Sequence, residues 1–416
     1  MFDVIVIGKG MFGAAASRYL SQTGVKVALI GPDEPADPAT HTGVFGAHYD
    51  EGRITYHMAD DSLWAELDHR SLERFPQLEA VSGIDFYTSQ GYLYVASKAT
   101  DEGCFSLWEM LATRFGLTYE TLDRQKLRQQ FPHLHFAEDC LGLWEKAGGG
   151  FFSPRRFIQA MLTLAQRQGL TIIPDRVTDI RTTDHSVTIT TETGESYKAQ
   201  KILLATGAFS SANGLLPRPL ALRHKREFVL LADLSPAEAN RLKNLPAFVY
   251  MVASEQLAEL YFLPPIRYPN GRTYLKMGAN TLADSYAERV EEVCAWYRSG
   301  DSEVMRPAMQ AMMQQVVPHL HAEAWPTHRC VITRTAHGRP YIDAVIPDRL
   351  YVTIGGNGQG AKAADAIGEL AAALILDEVW PEPFERADFQ AVYADTPFVW
   401  TSPPLLREQR MMDYNR

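Results

Sequence analysis

Residues 3–30 read DVIVIGKGMFGAAASRYLSQTGVKVALI, and this stretch decides the fold. Asp3 to Ile7 is a short run rich in β-branched residues, the mark of a strand buried on both faces. It runs into Gly8-Lys9-Gly10-Met11-Phe12-Gly13. Ala14 to Gln22 then reads as a helix closed by Gly24, and Val25 to Ile30 as a second strand. Strand, GxGxxG, helix and strand within about thirty residues is the βαβ unit of a dinucleotide-binding fingerprint. Gly8 permits the tight turn, Gly10 lets backbone approach a pyrophosphate, and Gly13 lets the helix pack close to the sheet. The helix N-terminus offers unpaired N–H groups to the phosphates. The fingerprint usually ends its second strand on an acid that holds a ribose hydroxyl. That position is Gly31 here, so Asp33 or Glu34 would have to reach in from a loop, or both are solvated turn residues.

Around this unit the chain has 416 residues, two or three domains' worth. Hydrophobic residues at 46% and charged residues at 22% describe an ordinary globular chain rather than a disordered one. No apolar run approaches membrane-spanning length. A formal charge of −10 disfavours nucleic-acid or anionic-membrane partners but permits a local basic pocket. Cys104, Cys140, Cys294 and Cys330 form no CxxC pair, which predicts neither a disulfide framework nor structural zinc and fits a reducing compartment. Met-Phe-Asp leads directly into a strand with no basic n-region, so a cytoplasmic location is expected.

Further along, Val44 to Trp64 reads as a loop entering a helix near Asp60, and 81–100 as strands. Phe157 to Gln168 is an amphipathic helix. Strands follow at Leu170–Ile173, Val187–Thr191 and Lys201–Ala205, the last running into Thr206-Gly207. The block from 220 to 325 mixes strands (227–234, 247–254, 273–280) with a helical stretch near 285–316. A strand at Leu350–Ile354 enters Gly355-Gly356-Asn357-Gly358-Gln359-Gly360 and then a helix from Ala364 to Leu376. Nucleotide-binding signals thus stand at the start, middle and end. The expected fold is α/β, or α+β overall: a Rossmann-like domain from 1–80, 140–220 and 326–385, interleaved with a mixed-sheet substrate domain from 81–139 and 221–325. A tail occupies 386–416.

Several segments together, VIVIGKGMFG at 4–13, ILLATGAFS at 202–210, Arg176-Val177-Thr178, CVITRTAHGRPYID at 330–343 and GGNGQGAKAADAIGE at 355–369, resemble the FAD-dependent D-amino-acid oxidase superfamily, and within it the monomeric sarcosine oxidase group. The resemblance spans roughly residues 1–380. It implies FAD held by Gly8, Gly10, Met11, Phe12, Gly13, Asp33, Val177, Ala205, Thr206, Gly207, Gly356, Gly358, Gln359, Gly360 and Lys362. Asp343 lies thirteen residues after Cys330, the family spacing for a cysteine that bonds the flavin 8α carbon. A thiolate must attack there, so nearby cations help. On a strand His328 shares the face of Cys330 while Arg329 points away. Without the resemblance Cys330 reads as a small buried thiol. His319, His321, His328 and Cys330 match no zinc template, and no metal site is expected.

The same resemblance assigns Lys276 in YLKMG to oxygen activation, although by itself it reads as a strand-edge lysine in water. Lys362 corresponds to a lysine binding the substrate carboxylate; a cation at a helix N-terminus opposes the macrodipole, which argues for a functional reason. Arg53 in DEGRI corresponds to an active-site arginine, with Tyr56 where a second arginine would stand, though another register matches Arg53 to a non-catalytic one. Tyr261 lies near the substrate or in ordinary aromatic core. Asn280 replaces a family histidine. The expected activity is oxidation of the C–N bond of a small amine or amino acid, secondary, N-methyl or cyclic, to an imine, with oxygen reduced to hydrogen peroxide. A dehydrogenase feeding a quinone or protein partner and a flavin-binding subunit without turnover are the alternatives. Arg53, Lys276 and Lys362 are expected to form a locally basic pocket.

Overall fold

The computed structural model describes residues 1–57, 61–101, 103–211, 215–300 and 303–400. The expected helix start near Asp60 and the tail beyond residue 400 lie outside the described residues.

The strand Phe2–Ile7 lies between Val27–Ile30 and Ser196–Leu204, parallel to both. Thr171–Ile173 extends the sheet beyond Val27–Ile30, and Leu350–Ile354 pairs with residues 202–204, again in parallel. Five parallel strands therefore come from three separated parts of the chain. Val177–Thr182, Val187–Thr191 and Tyr341–Ile346 add antiparallel strands, making eight. Val27–Ile30 is buried throughout, as its unbroken apolar run requires. The helix Met11–Gln22 crosses from Phe2–Ile7 and buries Ala14, Ala15 and Ala16 completely. It meets the helix Ala364–Ile375 so closely that a Cβ on Gly368 would fall 2.4 Å from the Ala15 Cβ. A buried ion pair, Arg18 Nη2 to Asp365 Oδ1 at 2.7 Å, joins the two helices.

A nine-stranded mixed sheet stands beside this layer. Its centre is the antiparallel set Leu222–Leu234, Thr273–Thr281, Leu257–Arg267 and Ala247–Met251, which continues into Tyr92–Ser97 and Cys140–Glu145. Thr327–Thr335 pairs along most of Leu222–Leu234. Cys140–Glu145 and Thr327–Thr335 fall inside the segments expected to form the dinucleotide-binding domain, yet both hydrogen-bond into this second sheet. A three-stranded sheet joins Arg53–Thr55 to Gly150–Phe152 and Tyr87–Thr88.

Two departures from the sequence reading have local causes. The helical stretch expected at 285–316 divides into a strand, Ser285–Ala287, and helices Val290–Ser299 and Arg306–Val316. Gly300 leaves the first helix in extended backbone and Pro307 opens the second. The strand Leu257–Arg267 carries Pro264 and Pro265, which discourage a strand reading. Its register shifts between Leu263 and Ile266, and that irregularity accommodates the two missing N–H donors. Among the described residues no helix is long and apolar enough to cross a membrane.

Candidate active site

A long cleft opens over the carboxyl ends of the parallel strands, the place where open α/β sheets bind ligands. It encloses ≈ 1560 Å³, including the part open to solvent. Gly8, Gly10, Met11 and Phe12 line it, with Val177, Ala205, Thr206, Gly207, Cys330, Gly356, Gly358 and Gly360. The loop from Val44 to Tyr49 and Tyr297 also line it, and the sequence reading had not singled them out.

The residues present fit an FAD pyrophosphate and isoalloxazine. Gly8 has φ +114, and a Cβ there would lie 2.3 Å from the Ala205 carbonyl oxygen. A Cβ on Gly13 would sit 1.9 Å from the Gly8 carbonyl oxygen, so this glycine packs beneath the cleft rather than lining it. At Gly10, the N-cap, a Cβ would enter open space, and no side chain caps the helix. The first-turn N–H groups are thus available to an anion. Gly360 packs against Gly356, where a Cβ would come within 2.7 Å of Gly356 Cα.

Asp33, Gln359 and Lys362 do not line this cleft. Asp33 is exposed and pairs with Lys9. A Cβ on Gly31 would lie 2.7 Å from the Lys9 backbone nitrogen, which explains why the usual acidic residue cannot stand at this position. Glu34 is held by Arg155.

At the other end, Asp50 gathers the site. Its Oδ2 accepts from Lys276 Nζ at 2.6 Å and from Arg53 Nη1 at 2.7 Å. Tyr268 donates its hydroxyl to Oδ1 at 3.0 Å, and His328 Nδ1 lies 3.7 Å from that oxygen. Burial opposes ionisation of Asp50, but Lys276, Arg53 and His328 overcome it and hold the carboxyl far below the usual range. Lys276 is fully buried, not a lysine in water. Burial lowers its pKa, and Asp50 resists that fall. It also donates to the Glu51 and Gly52 carbonyls, each at 3.0 Å.

Arg53 spends its Nη hydrogens inside this corner, on Asp50 and on the carbonyls of Ala47, Asp50 and Gly52. These contacts hold the guanidinium in place while the side chain also lines the cleft. Its Nη2 also stands 3.8 Å from Cys330 Sγ. The cation beside the thiol is therefore Arg53, while His328, the residue expected to help, faces Asp50. Burial pushes the Cys330 thiol up, and Arg53 works against that shift.

Tyr261 is packed over Gly278, where a Cβ would lie 2.1 Å from the ring, and its ring centroid is 5.9 Å from Lys276 Nζ. Asn280 belongs to a separate buried cluster. It accepts from Lys225 Nζ at 2.7 Å and donates to Glu259 at 3.1 Å. Lys225 also pairs with Glu227 at 2.9 Å and Asp284 at 2.7 Å. Burial raises Glu227 to about 7 against the pull of Lys225. Lys362 is buried between Asp68, 3.0 Å away, and the face of Tyr56, 4.3 Å from Nζ. Tyr56 thus fills the position of the missing second arginine with a ring that receives the lysine. Of the three cations expected to share a basic pocket, Arg53 lines the cleft, whereas Lys276 and Lys362 are buried behind its lining in separate pairs with Asp50 and Asp68.

This fold and cleft define a flavin-dinucleotide oxidoreductase, and comparison places the chain further. The model of the FAD dependent oxidoreductase family matches residues 3–374, and the chain belongs to that family. It is 26% identical over 382 residues to a monomeric sarcosine oxidase of Bacillus sp. (strain B-0618), covering 90% of this chain and 92% of the relative. It is 26% identical over 396 residues to an N-methyl-L-tryptophan oxidase of Yersinia pestis (strain Pestoides F), covering 93% and 98%. The fold is also that of NikD, an unusual amino acid oxidase essential for nikkomycin biosynthesis, in its open form (TM-score 0.75, 17% identity, 95% and 99% covered). Glycine oxidase from Geobacillus kaustophilus shares it too (TM-score 0.68, 20% identity, 95% and 99% covered). The chain is an FAD-dependent enzyme.

Proposed function

We propose that this enzyme oxidises the C–N bond of a small secondary, N-methyl or cyclic amino acid to an imine and passes the electrons to oxygen. The substrate gives up a hydride from its α-carbon and the proton on nitrogen. Oxygen takes up both and leaves as hydrogen peroxide, and water then splits the imine to a carbonyl compound and an amine. The bound flavin supplies what no side chain can, a two-electron acceptor.

The side chains do the rest. The observation that carries the reading is the corner where Asp50, Arg53, Lys276 and Cys330 meet at the end of the cleft. Lys362, assigned to the substrate carboxylate by the family resemblance, is a buried ammonium held beneath the cleft lining by Asp68 and the Tyr56 ring. Lys276, kept charged by Asp50, stabilises negative charge developing on oxygen. Cys330 is the covalent anchor, its thiolate favoured by Arg53. The new S–C bond would replace an S–H and a C–H bond, a two-electron oxidation for which the bound flavin would supply the acceptor and oxygen the final oxidant.

A second reading, a dehydrogenase serving a quinone or protein acceptor, draws support from the Lys276–Asp50 pair, which cancels much of the lysine's charge. Rates of reoxidation by oxygen and by a soluble quinone separate the two. Peroxide formed in step with substrate loss supports the oxidase. Reoxidation only by the quinone supports the dehydrogenase.

A further inference from the structure

Away from the cleft, three parts of the chain bring His57, His69, Glu73 and Glu145 together. The His57 side chain is only 3% exposed and its Nδ1 lies 2.6 Å from Glu145 Oε1, itself fully buried. The other oxygen of Glu145 accepts from the His57 backbone N–H at 3.3 Å. A Cβ on Gly148 would come 2.2 Å from His57 Cε1, so the ring is fixed by packing as well. A carboxylate on Nδ1 holds the proton there and turns Nε2 into an outward lone pair, the arrangement that orients metal-ligating histidines.

Among the described residues, Nε2 of His57 is buried without a hydrogen-bond partner, and so is His69 Nδ1. Their ring centroids are 5.3 Å apart, and His69 is held by stacking on Phe115 at 4.4 Å. Glu73 Oε1 lies 3.9 Å from His57 Nε2. One donor atom from each of His57, His69 and Glu73 falls within 4.8 Å of the others. A buried ring nitrogen left unsatisfied destabilises the fold unless something sits between such groups. His69 and Glu73 are four residues apart at the end of the helix Ser62–Leu72, hence on one face.

We propose that His57 Nε2, His69 Nδ1 and the Glu73 carboxylate bind a divalent transition metal, Zn²⁺ being the best match. Two imidazoles and a carboxylate are a zinc ligand set with one position left for water, and imidazole nitrogen selects zinc over magnesium or calcium. Zinc would draw the donors from the present spacing to about 3.3 Å, set by metal–ligand bonds of about 2.0–2.1 Å. Glu73, with a side chain 64% exposed, can make that adjustment and leaves an entry path from solvent. The metal clips the end of the helix Ser62–Leu72 to the turn after Arg53–Thr55. That helix carries Asp68, the partner of Lys362, and the turn begins at Tyr56. Sequence reading, which weighed only His319, His321, His328 and Cys330, expected no metal here.

The test uses the flavin-loaded protein, stripped with a chelator, exchanged into metal-free buffer and titrated with zinc sulfate by calorimetry. Metal content is measured after gel filtration. One zinc per chain is expected. His69→Ala and Glu73→Ala, at half-buried and exposed positions, should each weaken binding at least about tenfold while flavin content and circular dichroism stay as in the parent. Glu145→Gln should weaken it by about 10–100-fold. Absence of stoichiometric zinc in the parent, or equal zinc binding by His69→Ala and Glu73→Ala, overturns the proposal.

Discussion

Replacing Asp50 by asparagine keeps the shape of the residue at the centre of the site and removes its charge. In the parent, Oδ2 stands 2.6 Å from Lys276 Nζ and 2.7 Å from Arg53 Nη1, with the carboxylate only 2% exposed. At an effective dielectric of about 20, attraction at such a distance is about 6 kcal/mol per contact, and desolvation offsets much of it. Removing one partner of a buried pair costs about 3–5 kcal/mol, because the cations left behind remain buried. Asp50→Asn should therefore lose about 3–5 kcal/mol, read as a lower guanidinium midpoint by circular dichroism at pH 7. The acid side carries a second signature. A carboxyl whose folded pKa lies below its unfolded value of about 3.9 stabilises the protein above that pH, and the benefit disappears as pH falls through the folded value. The parent should lose stability more steeply below about pH 4 than Asp50→Asn does. A variant within about 0.5 kcal/mol of the parent, with the same acid limb, would refute the buried charge hub.

Other outcomes follow from the same geometry. Gly10→Ala adds a methyl group in open space, so the apoprotein should keep its stability to within about 1 kcal/mol while FAD affinity, read by quenching of flavin fluorescence, falls at least about tenfold. Equal affinity would remove the pyrophosphate from that turn. Lys276→Met should slow reoxidation of the reduced enzyme by oxygen by about 10²–10³-fold in stopped flow, and an unchanged rate would end the assigned role of Lys276. Glu227 has a folded pKa raised from 4.5 to about 7, so the folded state binds more protons than the unfolded chain over that window and stability should fall as pH rises through it. Glu227→Gln should flatten that slope in denaturation curves; a slope equal to the parent's would mean that Glu227 is not raised. Cys330→Ser should release its flavin into the supernatant on acid precipitation, while in the parent the colour stays with the protein.

The parts of the fold written locally were legible in the sequence. The glycine spacing at 8–13 needs only neighbours to act, and the strands Val187–Thr191 and Leu350–Ile354 appear with the expected bounds. Lys276 was less readable. Thr273–Thr281 lies between two strands and is buried from Tyr274 onward, so the alternation that would assign its faces is missing. Asp50 was hidden by distance along the chain, since its partner Lys276 stands 226 residues away. The one local signal was an acid three residues before Arg53. Cys330 was legible only through its spacing to Asp343 and the family resemblance. The cation nearest its thiol, Arg53, stands on the strand Arg53–Thr55 of a different sheet, which alternation along Thr327–Thr335 cannot describe. Leu257–Arg267 was not among the expected strands; it carries two prolines, which a register irregularity accommodates.

The claim that most needs a direct measurement is that flavin in this cleft takes electrons from a small amino acid. Purified enzyme held without oxygen should be mixed in turn with N-methyl, cyclic and D-amino acids while the flavin absorbance is followed. At least one secondary or N-methyl amino acid should bleach the band, and admitting oxygen should restore it with one hydrogen peroxide per flavin. A band untouched by every amine, in protein carrying a full complement of FAD, would contradict it.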